Sequence, residues 1–232
     1  PARGGPVLAD GVVYFAAGIW PIEGVFVHAI NAETGEAVWS NTDSDFIPRS
    51  NWDHGVGHDS GITPQGYLAI IGNKLVVPCG AQLPAFLDLD TGELHPYTMG
   101  WGGRYGLPKG CWFVAGVGNY LSHAGDLYDM SRPTEERFAD TAPGRTDYKG
   151  KLYPGGFMRL DTERASQREL DEFRQPVMTP DAIYESDLSI LARDIANVTL
   201  REITEADIPS HRANDSYPDT LGGHLPQLWE VI

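Results

Sequence analysis

The stretch Asn31-Ala-Glu-Thr-Gly-Glu36 returns at 88–93 as Asp88-Leu-Asp-Thr-Gly-Glu93. No other feature of the chain limits the fold as much, because each residue type in it has a backbone task. Gly35 and Gly92 can take a positive φ at no steric cost. Asn31 and Asp88 can accept hydrogen bonds from backbone N–H groups a few residues on, and Thr34 and Thr91 can add a hydroxyl to the same turn. The first corner leads into Glu36-Ala-Val-Trp39. A Trp at the end of an outer strand brings apolar area and an indole N–H to a neighbouring layer.

The surroundings of the corner recur as well. Upstream of the first lies PVLADGVVYFAAG (6–18), and upstream of the second LAIIGNKLVVPCG (68–80). Each pairs two apolar segments around a turn, Asp10-Gly11 or Gly72-Asn73, and each closes on glycine, Gly18 or Gly80. That is strand, turn, strand. A third copy, PVMTPDAIYESD (176–187), is followed by SILARDIANVTL, which keeps Ala192 and Asp194 but has lost Thr-Gly. Residues 108–161 read as a fourth, divergent unit, with GCWFVAGVG and GGFMRLD as strands. A unit of four short strands recurring every roughly 40–60 residues is the signature of propeller blades or a similar array.

Other segments fall outside the pattern. Residues 131–150 and 204–226 are polar and rich in breakers, and read as insertions or long loops. Residues 162–173 have helix-forming composition behind Thr162, which predicts one short helix. The stretch LWEVI (228–232) reads as the opening strand of a further unit.

AINAETGEAVW (Ala29 to Trp39) resembles the tryptophan-docking motif of the PQQ-like β-propeller repeats, Ala-x-Asp-x-x-Thr-Gly-x-x-x-Trp, with Asn31 in the Asp position. The second copy keeps Asp88, Thr91 and Gly92 and has Pro96 where the Trp belongs. The resemblance implies an all-β propeller of four-stranded blades, about four of them within 1–232. Such a chain is a portion of a longer propeller, with remaining blades or a further domain as neighbours. Asn31, Thr34, Gly35, Trp39, Asp88, Thr91 and Gly92 are then blade-docking residues. A periplasmic or extracellular location is also implied, although the chain carries no signal peptide. If four blades do not close alone, their open faces favour dimerisation or aggregation.

The repeat does not by itself name a function. The leading expectation is a non-catalytic scaffold whose face binds a protein or a small molecule, with no cofactor. The alternative is a quinoprotein oxidoreductase of alcohol-dehydrogenase type, using PQQ and Ca²⁺. Such dehydrogenases stack adjacent cysteines on the quinone, and Cys79 and Cys111 are not adjacent. These two either pair with each other or sit as separate buried thiols. The candidate ligand site is SNWDHGVGHDSG (50–61), with Trp52, Asp53, His54, His58 and Asp59, and with Gln65 just downstream. Imidazole and carboxylate suit transition metals. However, Gly55 and Gly57 argue against the helix that would align the two rings, so no metal is assigned. A plain polar loop of turn-forming residues fits the same letters. A net charge of −15 disfavours nucleic acid and anionic lipid as partners. No apolar run is long enough to span a membrane.

Overall fold

The computed structural model describes residues 4–18, 20–53, 56–80, 82–95, 112–123, 126–130, 156–160, 176–186, 190–194, 199–202, 221–224 and 227–231. The expected helix at 162–173 and the 131–150 insertion lie outside them. Among the described residues the chain is all-β, and its helical content is one 3-10 turn, Pro21–Glu23. No helix there is long and apolar enough to cross a membrane.

The first sheet is an antiparallel meander of β1 (Val7–Ala9), β2 (Val12–Ala17), β3 (Phe26–Asn31) and β4 (Ala37–Asn41). A separate hairpin follows, β5 (Ile47–Asp53) with β6 (Val56–Ser60). The second sheet has β7 (Ala69–Ile71), β8 (Lys74–Cys79) and β9 (Gln82–Asp88), and a single Leu87–Leu94 bridge stands where a fourth strand would begin. The third sheet runs β10 (Val114–Val117), β11 (Tyr120–His123), β12 (Asp126–Asp129) and β13 (Gly156–Leu160). The fourth sheet opens with β14 (Val177–Met178), β15 (Ala182–Ser186) and β16 (Ile190–Asp194). Two strands from the long connection after β16, β17 (Thr199–Glu202) and β18 (Leu221–His224), extend the third sheet through a parallel β13–β18 pairing. Residues 204–226 are therefore not loop throughout, since their 221–224 portion is strand. Finally β19 (Gln227–Val231) returns to pair with β16.

The last pairing corrects the reading of LWEVI. It does not open a new sheet but closes the fourth one, as that sheet's outer strand. The register carries further information. Trp229 pairs with Ala192, and the register shifts just after that alanine. Trp39 pairs with Ala29, with the same shift just after it. The Ala-x-Asp…Trp relation is thus kept in space in the fourth sheet, although 34 residues (195–228) separate Asp194 from Trp229.

The four sheets share one register at the corner position. The second strand starts opposite Asn31, Asp88, Asp129 and Asp194, paired with Val12, Lys74, Tyr120 and Ala182 respectively. In three of them the next residue's N–H donates back into the hairpin turn: Ala32 to Gly11 O at 2.8 Å, Leu89 to Asn73 O at 2.9 Å and Met130 to Asn119 O at 2.7 Å.

Strand alternation puts one face of the first sheet and much of the second into a common core. Tyr14, Ala16, Val27 and Ala29 meet Leu75, Val77, Cys79, Ala85 and Leu87, with Ile62 and Leu68 from the connection. The first strands of successive sheets also lie side by side, β10 against β7 and against β14. The turn after β7 is tied to the turn after β10 by Gly72 N–H donating to Gly118 O at 3.2 Å.

Candidate functional site

The two corners hold their backbone N–H groups in the same way. Asn31 Oδ1 accepts from Glu33 N and Thr34 N, both at 2.9 Å, while Asp88 Oδ1 accepts from Asp90 N at 3.0 Å and Thr91 N at 2.9 Å. Thr34 and Thr91 hydroxyls accept from Glu36 N and Glu93 N, each at 3.2 Å. Gly35 and Gly92 have φ of 72° and 73°, where a side chain would be strained. The charge on Asp88 has a local consequence. Donation from the Thr91 backbone holds its carboxyl below the usual range, with the Thr91 hydroxyl and Asp90 N–H adding to the effect.

The first sheet is fastened onto the second corner. Trp39 Nε1 donates to Leu89 O at 2.9 Å, and Asn41 Nδ2 donates to Gly92 O at 2.8 Å. The indole lies so close over Gly92 that a Cβ there would overlap the ring. Tyr14 stacks at a tilt on Trp39, with ring centroids 5.9 Å apart. Burial, then the carboxylates of Asp90 and Asp10, push the Tyr14 hydroxyl pKa up. Beside this corner Lys74 Nζ and His95 Nε2 are 3.2 Å apart. Burial and then the Lys74 charge pull the His95 imidazole pKa below its usual value, against the smaller opposing effect of the Asp88 and Glu93 carboxylates.

The candidate ligand stretch is not an irregular loop. Residues 50–53 and 56–60 belong to the β5–β6 hairpin, with Asn51 paired to His58, Trp52 to Gly57 and Asp53 to Val56. Those letters show no clean alternation, which is why they read as loop. Trp52, Asp53 and His58 are placed as strand residues, with side chains outside the described set, and His54 lies outside it altogether. Asp59 is exposed. The hairpin base is anchored: Ile62 N–H donates to Ser44 O at 2.9 Å, and Gly61 packs onto the Asp45 backbone so closely that a side chain would not fit.

Gln65 belongs to a different neighbourhood. Its N–H donates to Pro78 O at 2.8 Å, and it bridges in parallel to Cys79. A methyl group on Gly80 (φ 63°) would lie 3.1 Å from Gln65 Nε2 and 3.0 Å from Trp112 Nε1. An amide and an indole N–H thus converge on a bare stretch of backbone, and Trp112 is 54% exposed. The sequence reading absorbed Trp112 into a strand and missed it. Its signal was a bulky aromatic set just before an apolar strand.

Cys79 is buried, and its thiol donates to Val77 O at 3.4 Å. Cys111 lies outside the described residues. Among the described residues no group of three or more His, Cys, Asp or Glu side chains is placed to hold a metal ion.

No family model matches the chain, and no curated protein does. Solved structures do match. BamB from Moraxella catarrhalis aligns at 14% identity and a TM-score of 0.45, over 100% of this chain and 64% of that one. The computationally designed Ika4 protein aligns at 11% identity and 0.45, over 84% and 92%. Quinohemoprotein alcohol dehydrogenase from Comamonas testosteroni aligns at 14% identity and 0.29, over 100% and 21%. The chain thus spans less than two thirds of the length of the first of these.

Proposed function

We propose that this chain is a portion of a PQQ-like β-propeller that serves as a non-catalytic binding scaffold. The observation that carries it is the fastening of Trp39 onto the Asp88–Gly92 corner. Two features support a radial array: the shared register of four sheets and the side-by-side first strands β7, β10 and β14. Around an axis of that kind, connections between sheets gather at the two ends of the disc, where ligands bind. The β5–β6 hairpin and the Gln65–Gly80–Trp112 seam are the two binding elements, and a protein, a peptide or a small polar molecule is the class of ligand. The family resemblance carries the compartment, periplasmic or extracellular, in the chain's longer native context.

No cofactor belongs to this reading. Its test is thermal unfolding of the chain titrated with PQQ plus Ca²⁺, against Ca²⁺ alone. A ligand that binds only the folded state raises the midpoint by mass action. The expected result is an unchanged midpoint in a sample shown to be folded. A saturable quinone-dependent rise would replace the scaffold reading with the oxidoreductase one.

A further inference from the structure

The segments that lead into β1, β7 and β10 lie side by side at one end of their sheets. Leu68 N–H donates to Gly5 O at 3.4 Å, and a Cβ on Gly66 would overlap Trp112 O. The seam between them is flanked by the first sheet on one side and the third on the other, so both its neighbours are in the chain. Hairpin turns and corners lie at the opposite end, tied together there by Ala32 N–H to Gly11 O and Leu89 N–H to Asn73 O. The exposed carboxylates of Asp10, Glu33, Glu36, Asp90 and Glu93 belong to that far end. The approach segments 4–6, 61–68 and 112–113 contain no charged residue. They display aromatic rings instead: Tyr67, lying over Gly5, is 61% exposed, and Trp112, beside Gly80, is 54% exposed. Gln65 Nε2 and Trp112 Nε1 stand 3.1 and 3.0 Å from one point against the Gly80 backbone. Both are N–H donors, and an indole N–H can only donate. Neither has an acceptor among the described residues. A ligand for this seam must therefore supply carbonyl oxygens and apolar surface, and it needs neither N–H groups nor charge there. An extended proline-rich segment has that chemistry. Its rings carry no N–H, its carbonyls make no internal hydrogen bonds, and aromatic-lined grooves hold such segments in their preformed conformation. Charge enters only at the margin, where Gly61 packs on the Asp45 backbone and the exposed Asp43 and Asp59 adjoin the start of 61–68.

We propose that the Gln65–Tyr67–Gly80–Trp112 seam binds an extended proline-rich segment of a partner protein, with a Lys or Arg beside the prolines. The inference rests on the scaffold reading above and names its ligand. Proline rings lie on Tyr67 and Trp112, Gln65 Nε2 and Trp112 Nε1 donate to carbonyls between those rings, and the cationic residue faces Asp43 and Asp59. The net charge of −15 favours a cationic flank over an acidic one, an effect that salt screens.

Isothermal titration calorimetry of the full chain with an oligoproline peptide bearing a terminal arginine tests this. The expected result is saturable binding, weaker when glutamate replaces the arginine and lost when glycines replace the prolines. Trp112→Phe, which keeps a ring and removes the N–H, should weaken binding by about tenfold. Gln65→Met should do the same, and Trp112→Ala should abolish binding. No saturable heat with the arginine-flanked oligoproline, binding unchanged in Trp112→Ala, or binding of a neutral oligosaccharide in place of the peptide would overturn the proposal. If Trp112→Ala fails to fold by circular dichroism, Trp112→Phe and Gln65→Met decide. A quinone-dependent rise in the unfolding midpoint would remove the scaffold reading itself, whereas a flat quinone response with no peptide binding would remove this inference alone.

Discussion

Asn31 and Asp88 do the same work with different charge. Both side-chain oxygens take two backbone N–H groups at 2.9–3.0 Å, so the turn needs an acceptor and not an anion. Asp88→Asn is therefore expected to keep the corner, and its effect belongs to pH. The Asp88 carboxyl sits below its usual range in the folded chain, so it contributes stability that is present above that range and lost as pH falls through the folded value. His95 is also depressed, so the unfolded chain takes up its proton first, and stability begins to fall as pH drops below about 6.5. Urea midpoints measured across pH should show two acid-side losses in the wild type. Asp88→Asn should remove the lower one, and His95→Gln the upper. A curve unchanged by either would show that these groups do not govern acid stability.

Trp39 carries two separable contributions at the same scale. Trp39→Phe removes the hydrogen bond to Leu89 O while keeping a ring on Gly92, and should cost about 1 kcal/mol. Trp39→Ala also removes the packing and should cost about 3 kcal/mol. Equal losses in denaturant unfolding would mean that the indole N–H, not the ring, fastens the sheets.

At the scale of elements, the two corner glycines separate backbone strain from docking. Both have φ near 70°, where an added Cβ costs about 1–2 kcal/mol. Gly35→Ala should cost that much and no more, since its Cβ meets open space among the described residues. Gly92→Ala should cost clearly more, because its Cβ also displaces the Trp39 ring. Combined with Trp39→Ala, Gly92→Ala should fall back towards the Gly35→Ala value, a coupling that a double-mutant cycle measures. The elements themselves differ in how plainly the letters show them. Hairpins such as 6–18 were legible because turn residues and apolar runs depend only on neighbours in sequence. The β5–β6 hairpin was not, since glycines and histidines break its alternation and only backbone pairing defines it. Nor was the role of β19, whose partner β16 lies beyond a long connection that itself joins another sheet.

For the whole molecule, the seam at Gln65, Gly80 and Trp112 sits where the second sheet meets the approach to the third. Trp112 is more than half exposed, so Trp112→Ala should leave the midpoint of thermal unfolding nearly unchanged. A large fall in the midpoint would recast Trp112 as a structural wedge. One fastening, between Trp39 and Gly92, joins two sheets whose strands are each built from local hairpins.

The sequence by itself determined the parts that short-range physics sets. Glycine at positive φ, Asn or Asp as turn acceptor and β-branched runs around two-residue turns specify hairpins and corners wherever the chain places them. Only the tertiary structure decided what each corner holds and which distant strand completes each sheet. Gly92 is covered by an indole and Gly35 is open among the described residues, although their backbone N–H groups are held in the same way. Trp229 takes the register of Trp39 although its motif is interrupted. Those outcomes depend on surfaces brought together from far apart in the chain. Their free energy comes from apolar area and hydrogen bonds that no local window of residues contains.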